Sequence, residues 1–308
     1  ARAACVLGEA GDARLEQLRA RLPGCPVIAA PSLESLPVGW EPPGDPPGDG
    51  DDILAVLYTS GTSGRPKGAC LTWNNFFASA RAAEDRLGAA VHRRWLACMP
   101  LFHVGGLSIL MRSVLFGGPV RLQSRFDASA VSDALDGGDV SGISLVPTML
   151  SRLLAYRGTR DAPRGLEVLL LGGANAAPEL VARALVKGYP VCPTYGLTEA
   201  TSQVATSAPP RAGCDKASPM RPVLGTEVRI VAQGRDAGSG TEGEIVVRGA
   251  TVMRGYLRDE EANARALRDG WLHTGDVGYL DAAGGLHVLD RRDDLVVSGG
   301  ENVYPAEI

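Results

Sequence analysis

The residues most ready to do chemistry sit in one short run, "YTSGTSGRPKG". Hydroxyls at Thr59, Ser60, Thr62 and Ser63, glycines at Gly61, Gly64 and Gly68, and a single Lys67 follow an apolar segment. Glycines let backbone N–H groups approach phosphate oxygens, hydroxyls donate further hydrogen bonds, and the lysine adds a mobile charge. The combination points to a phosphate compound. It is not a Walker A loop, which places Gly before the lysine and Ser or Thr after it. Here Lys67 lies between Pro66 and Gly68. Composition alone leaves a Gly/Ser-rich surface loop as the competing reading. A second signal is Arg112, set in "VGGLSILMRSVLFGG" among Leu110, Met111, Val114 and Leu115. A guanidinium buried there needs an anionic partner; on an exposed helix face it needs none.

The elements that must position these groups alternate. "ACVLGEAGDARLEQLRARLPGCPVIAA" reads as strand, helix, strand, with Leu15, Leu18 and Leu22 at helical spacing. A Pro/Gly/Asp-rich linker spans about residues 39–51. "ILAVLYTS" is a strand feeding the phosphate loop, and Thr72 caps the helix "WNNFFASARAAEDRL". Strands in "RWLACMPLFH", "PVRLQS", "SGISLVPTML", "LEVLLLGGA" and "PVCPTYGLTEA" then alternate with helices, one of which has Pro178 in its first turn. This predicts an α/β fold whose mostly parallel sheet is covered by helices, with ligands at the carboxyl ends of its strands. After about residue 218 short strands with Gly/Asp turns predict a smaller antiparallel subdomain, with "DAAGG" as a hairpin turn.

Composition excludes several classes. The 308 residues are 45% hydrophobic and 21% charged, with a formal charge of -4, which is enough apolar material for a large core and a poor match to nucleic acid. The cysteines Cys5, Cys25, Cys70, Cys98, Cys192 and Cys214 form no CxxC pair. They read as isolated thiols in a reducing cytoplasm rather than as disulfides or zinc ligands. No run approaches the length of a membrane span.

Four motifs in order resemble those of the adenylate-forming superfamily, the AMP-dependent acyl-CoA synthetases and ligases. They are "YTSGTSGRPKG", "YGLTEA" (195–200), "GWLHTGD" (270–276) and "LDRRDDLVVSGGENVYPAEI" (289–308). Residues 1–50 carry no diagnostic motif. The resemblance implies that a carboxylate and Mg-ATP give acyl-adenylate and pyrophosphate, after which a thiol, usually coenzyme A, attacks. It implies that Thr59, Ser60, Gly61, Thr62, Ser63, Gly64 and Lys67 hold the β- and γ-phosphates. Glu199 would bind Mg²⁺, and Thr198 would lie near the α-phosphate. Gly173, Ala174, Asn175 and Tyr195 would line the adenine, and Asp276 would accept both ribose hydroxyls. Arg291 would contact ribose or phosphate, and Asp293 would be a hinge. Relatives often carry Gly and Pro where Ala174 and Asn175 stand.

"MPLFHVGGLSILMRSVLFGG" is similar to the 2-succinylbenzoate–CoA ligase branch of menaquinone biosynthesis. That likeness implies an acid site of His103, Gly105, Arg112, Gly196, Ser202 and Gln203, with Arg112 on a second carboxylate or keto group. Gly105 replaces a Ser common in relatives and widens the pocket. The expected partners are therefore a small carboxylic acid and coenzyme A. A carrier-protein thiol or an amine remains an alternative acceptor, another aryl or dicarboxylic acid an alternative substrate, and a non-catalytic nucleotide- or acyl-binding relative a third reading. Residues 1–217 would form the ATP- and acid-binding core, lacking some N-terminal sheet. Residues 218–292 would form the β-rich subdomain, and 293–308 the hinge and start of a C-terminal domain that continues beyond this sequence. Alone, the stretch given would bind ATP and acid and adenylate poorly. The oligomeric state stays open, a homodimer included.

Overall fold

The computed structural model describes residues 6–9, 27–30, 50–59, 66–210, 214, 216–291, 296–298 and 301–303. The chain divides into two units, 1–49 and 50–308. In the first, strands β1 (Val6–Glu9) and β2 (Val27–Ala30) pair in parallel. A parallel pair needs a crossover, as the strand–helix–strand pattern expects. The predicted helix between them lies outside the described residues.

The second unit opens with an antiparallel hairpin of β3 (Ile53–Thr59) and β4 (Lys67–Thr72). Helix α1 (Trp73–Leu87) follows without a loop, because Thr72 and Asn75 close a reciprocal cap. The Asn75 backbone N–H donates to Thr72 Oγ1 at 3.2 Å, and Thr72 N–H to Asn75 Oδ1 at 2.9 Å. The Asn75 amide nitrogen also donates to the carbonyls of Ala250 and Val252, tying the helix start to a distant loop.

A seven-stranded sheet carries the βα alternation. Its parallel part comprises β5 (Trp95–Ala97), β6 (Val120–Leu122), β7 (Gly142–Leu145), β8 (Val168–Leu171) and β9 (Val191–Leu197). The antiparallel strands β10 (Ser202–Thr206) and β11 (Arg221–Pro222) extend it, in the order β11-β10-β9-β8-β7-β5-β6. Its helices are α2 (Val104–Phe116), α3 (Ala128–Asp136), α4 (Pro147–Arg157) and α5 (Pro178–Val186). Helix α2 ends at Gly117 in the left-handed conformation, α3 starts at an Asp127 cap, and α4 and α5 start at prolines. The "PTML" that sequence reading runs into β7 begins α4 instead; Pro147 fits the first helical turn, where its missing N–H is no loss. Leu96, Ile143, Leu145, Leu169, Leu171 and Val191 bury the centre of the sheet against these helices.

Six further strands make the predicted antiparallel sheet. They are β12 (Thr226–Ala232), β13 (Arg235–Asp236), β14 (Gly243–Gly249), β16 (Leu267–Arg268), β17 (Trp271–Leu280) and β18 (Leu286–Arg291). "DAAGG" turns β17 into β18, with Asp281 accepting from the N–H groups of Ala283 and Gly285. The short strand β15 (Gly255–Tyr256) instead joins β4, and α6 (Glu260–Ala266) links it to β16. Neither β15 nor α6 was expected from the sequence. Among the described residues, no helix is long and apolar enough to cross a membrane.

Candidate active site

The β3–β4 hairpin sets both stems of the phosphate-loop segment, because Thr59 and Lys67 are cross-strand partners. Ser60, Gly61, Thr62, Ser63 and Gly64 lie outside the described residues. Lys67 Nζ sits over the Tyr256 ring, 5.4 Å from its centroid. Tyr256 Oη donates to Glu199 Oε1 at 2.9 Å, and Thr59 Oγ1 makes a longer bond, 3.4 Å, to the same oxygen. Pairing of β15 with Cys70 and Ala69 of β4 brings Tyr256 here. One carboxylate, one ammonium and two hydroxyls thus converge from three segments.

Glu199 rides on a single 3₁₀ turn, Thr198–Ala200, between β9 and β10. The chain reverses through Thr201 and Ser202, both at positive φ (50° and 88°). Such a conformation costs a non-glycine residue on the order of 1 kcal/mol. Buried hydrogen bonds offset it. Thr201 Oγ1 donates to the Thr251 carbonyl at 2.7 Å, and Ser79 Oγ donates to the Thr201 carbonyl at 2.7 Å. The Met253 N–H donates to the Glu199 carbonyl at 2.8 Å. Gly196 is required at the stem: a Cβ there would stand 1.6 Å from the Ser202 oxygen.

These groups open onto a cleft of about 930 Å³. Thr59, Lys67, His103, Gly105, Arg112, Gly173, Gly196, Thr198, Glu199, Ser202 and Gln203 all line it. Ala174, Asn175, Tyr195 and Asp276 are not part of that lining. Tyr195 Oη donates to Asp276 Oδ2 at 2.5 Å, so those two residues meet beside the cleft. Asn175 is exposed and donates to the Leu289 carbonyl at 3.2 Å. Arg291 pairs with Asp276 through the β17–β18 ladder; its side chain, and all of Asp293, lie outside the described residues.

Arg112 is 4% exposed, which decides between the two sequence readings in favour of burial. Its neighbours differ from the expected ones: Val114 is 73% exposed, and the guanidinium lies over the Trp95 ring, 4.8 Å from its centroid. Gly142, opposite Trp95 on β7, makes room for that ring; a Cβ there would sit 2.2 Å from it. Burial pushes the guanidinium down to about 10, well below its ordinary range. That shift corresponds to a burden of about 3 kcal/mol, of which a desolvated cation–π contact returns about 2 kcal/mol. Among the described residues, three buried polar atoms here go without a hydrogen-bond partner, the first being Nη2. Ser108, one helical turn earlier, buries an unpartnered Oγ. Gln203 does the same with Oε1, its amide nitrogen donating to Thr206 Oγ1 at 2.8 Å. Buried polar atoms without partners are uncommon and call for an occupant. His103 is exposed at the start of α2, its ring packed on Phe102.

Sequence reasoning missed Tyr256, Trp95, Ser108, Glu244 and His273. "GWLHTGD" contained His273, but its partner Glu244 comes from another strand. Among the described residues no three His, Cys, Asp or Glu side chains group as a metal site. Cys98 and Cys192 are buried, and burial pushes each thiol up to about 12, as expected of inert thiols.

A helix-covered parallel sheet joined to an antiparallel sheet, with a loop-borne carboxylate and lysine facing one cleft, defines the class. Residues 5–257 match the AMP-binding enzyme family, and the chain belongs to it. A 2-succinylbenzoate--CoA ligase of Geobacillus sp. (strain WCH70) is 45% identical over 258 residues, 84% of this chain and 52% of that protein. The O-succinylbenzoate coenzyme A synthetase (MenE) of Bacillus subtilis, solved with ATP and magnesium ion, is 42% identical with a TM-score of 0.78, covering 84% of this chain and 54% of that one. The amide bond synthetase McbA of Marinactinospora thermotolerans is 30% identical with a TM-score of 0.82, covering 99% of this chain and 63% of that one. The chain spans about half the length of the curated relatives it matches.

Proposed function

We propose that the chain is the nucleotide- and acid-binding part of an enzyme that joins a carboxylic acid to AMP, releasing pyrophosphate, and then passes the acyl group to coenzyme A. The favoured acid is 2-succinylbenzoate. The observation that carries this reading is the buried Arg112, its Nη2 unpartnered among the described residues, lining the same cleft as Glu199 and Lys67. A second anionic or keto group of the acid would relieve that charge, while the reacting carboxylate points toward the phosphates. His103, Gly105, Ser202 and Gln203 would shape the acid pocket.

Thr59, Lys67 and the loop residues Ser60 to Gly64 would hold the departing pyrophosphate, with Thr198 near the α-phosphate. Asp276 would accept the ribose hydroxyls, with Tyr195, Gly173, Ala174 and Asn175 beside the base and Arg291 near ribose or phosphate. The donor set fits Mg²⁺, which takes one or two carboxylates and completes its shell with substrate phosphates and water. Glu199 would hold it, its carboxylate kept in place by the Tyr256 hydroxyl. Bound there, the metal would screen the phosphate charges as acid and nucleotide meet.

Pyrophosphate release from the full-length protein with a panel of acids tests the proposal. Release with 2-succinylbenzoate is expected; none with it and release with another acid would overturn the assignment. A second reading keeps adenylation and changes the acceptor to an amine. The coverage of 99% of this chain by the amide bond synthetase fold supports it. Product analysis with coenzyme A and an amine in competition separates the two.

A further inference from the structure

The antiparallel sheet carries a local irregularity beside Asp276. Glu244 of β14 pairs with Val277 of β17, yet Val246 pairs with His273. The single residue Ile245 therefore faces three, Thr274, Gly275 and Asp276, which bulge out of the ladder. A bulge deprives its backbone groups of ladder partners, and each must find another. Thr274 Oγ1 donates to the Ile245 carbonyl at 2.8 Å and accepts from the Asp276 N–H at 3.0 Å. The Gly275 N–H, at φ 76°, is taken by Glu244 Oε1 at 3.3 Å. The other Glu244 oxygen meets His273 Nδ1 at 3.0 Å, with Arg268 3.8 Å away. The Glu244 side chain is 13% exposed and that of His273 17%. Both line the cleft.

We propose that Glu244, clasped by His273, is a positioning residue that fixes the Thr274–Asp276 bulge and so aims the Asp276 carboxylate at the ribose diol. This rests on the assignment of Asp276 to the ribose. Glu244 does not touch the nucleotide; it supplies the acceptor that β14 lacks opposite Gly275. Without it the Gly275 N–H loses its partner, and the bulge can relax toward regular pairing, which would swing Asp276 out of place.

Direct titration of the full-length protein with ATP and with 2′,3′-dideoxy-ATP, in the absence of acid, tests both levels. The wild type is expected to bind ATP tighter than the dideoxy analogue. If it binds both equally, Asp276 is not a ribose ligand and the proposal falls with that assignment. If it discriminates, Glu244→Ala is expected to weaken ATP at least tenfold and the analogue less than twofold. Equal losses for both nucleotides, or undiminished discrimination, would overturn the positioning role alone. Glu244→Gln keeps an acceptor oxygen and is expected to restore most of the preference for ATP. Should Glu244→Ala not fold, His273→Ala carries the same test, with discrimination falling at least threefold. Intact discrimination in that variant would overturn the clasp.

Discussion

Among the described residues, Ser108 and Arg112 of α2 and Gln203 of β10 each bury a polar atom without a partner, whereas Glu199, Glu244 and Asp276 are all hydrogen-bonded. The first region is helix α2 packed on the parallel sheet, dry enough to depress the Arg112 guanidinium. The second is irregular backbone, a 3₁₀ turn and a bulge, whose polar groups are closed by one another. The difference separates two jobs. On the proposed reading, the satisfied region is set before anything binds and would take the nucleotide. The unsatisfied region would be completed by its occupant, and would then reject an acid that leaves Arg112 and Gln203 unmatched.

The comparison fails most visibly if Glu199 is not common to every substrate. Glu199→Ala is expected to cut pyrophosphate release at least about 100-fold for every acid tested. Acid-dependent losses would move Glu199 to the other region. Next, Arg112→Ala is expected to raise KM about tenfold for a dicarboxylic acid and less than about twofold for a monocarboxylic one. Equal changes would remove Arg112 from recognition. Arg112→Met tests the same charge through stability: it is expected to melt at the same temperature as the wild type or a few degrees higher. The sign follows from linkage. Below pH about 10 the folded protein holds a proton the unfolded chain holds more tightly, and that handicap fades only as pH rises above about 10. Binding through Arg112 should therefore stay flat from about pH 6 to about pH 9. Tyr256→Phe, which frees Glu199 Oε1 of one donor, is expected to slow adenylation about three- to tenfold with KM for the acid unchanged. The smallest effect belongs to Gly105→Ser. A Cβ there meets only Met99 Cε, at 2.9 Å, and that methyl can turn aside. Stability should change by less than about 1 kcal/mol, while preference among acids of different width shifts measurably.

The two regions were also unequally legible in the sequence. Helix α2 and its Gly117 stop follow from local pattern, and Arg112 stood out because it interrupts an apolar run. Whether Arg112 was buried depended on Trp95 and Gly142, which pair across strands distant in sequence. The strand β4 was invisible for a different reason. Five of its residues in succession are buried, so no alternation marks it, and small residues supply little hydrophobic signal. Glu199 and Asp276 were readable only by resemblance to family motifs; alone, each is an ordinary loop carboxylate. Glu244 and Tyr256 could not be read at all. Their meaning comes from a register shift in one sheet and a two-residue strand in another, both products of long-range pairing.

Because Thr59 and Lys67 close the β3–β4 ladder as a facing pair, the distance between them is set by strand spacing and not by what connects them. Whatever joins them is therefore a ring that the two strands have already closed. Lengthening that ring by two or three residues adds only a few tenths of a kcal/mol of closure entropy. On the proposed reading, the grip on a nucleotide's tail could thus be resized by insertion or deletion while its two anchoring side chains stay where they are.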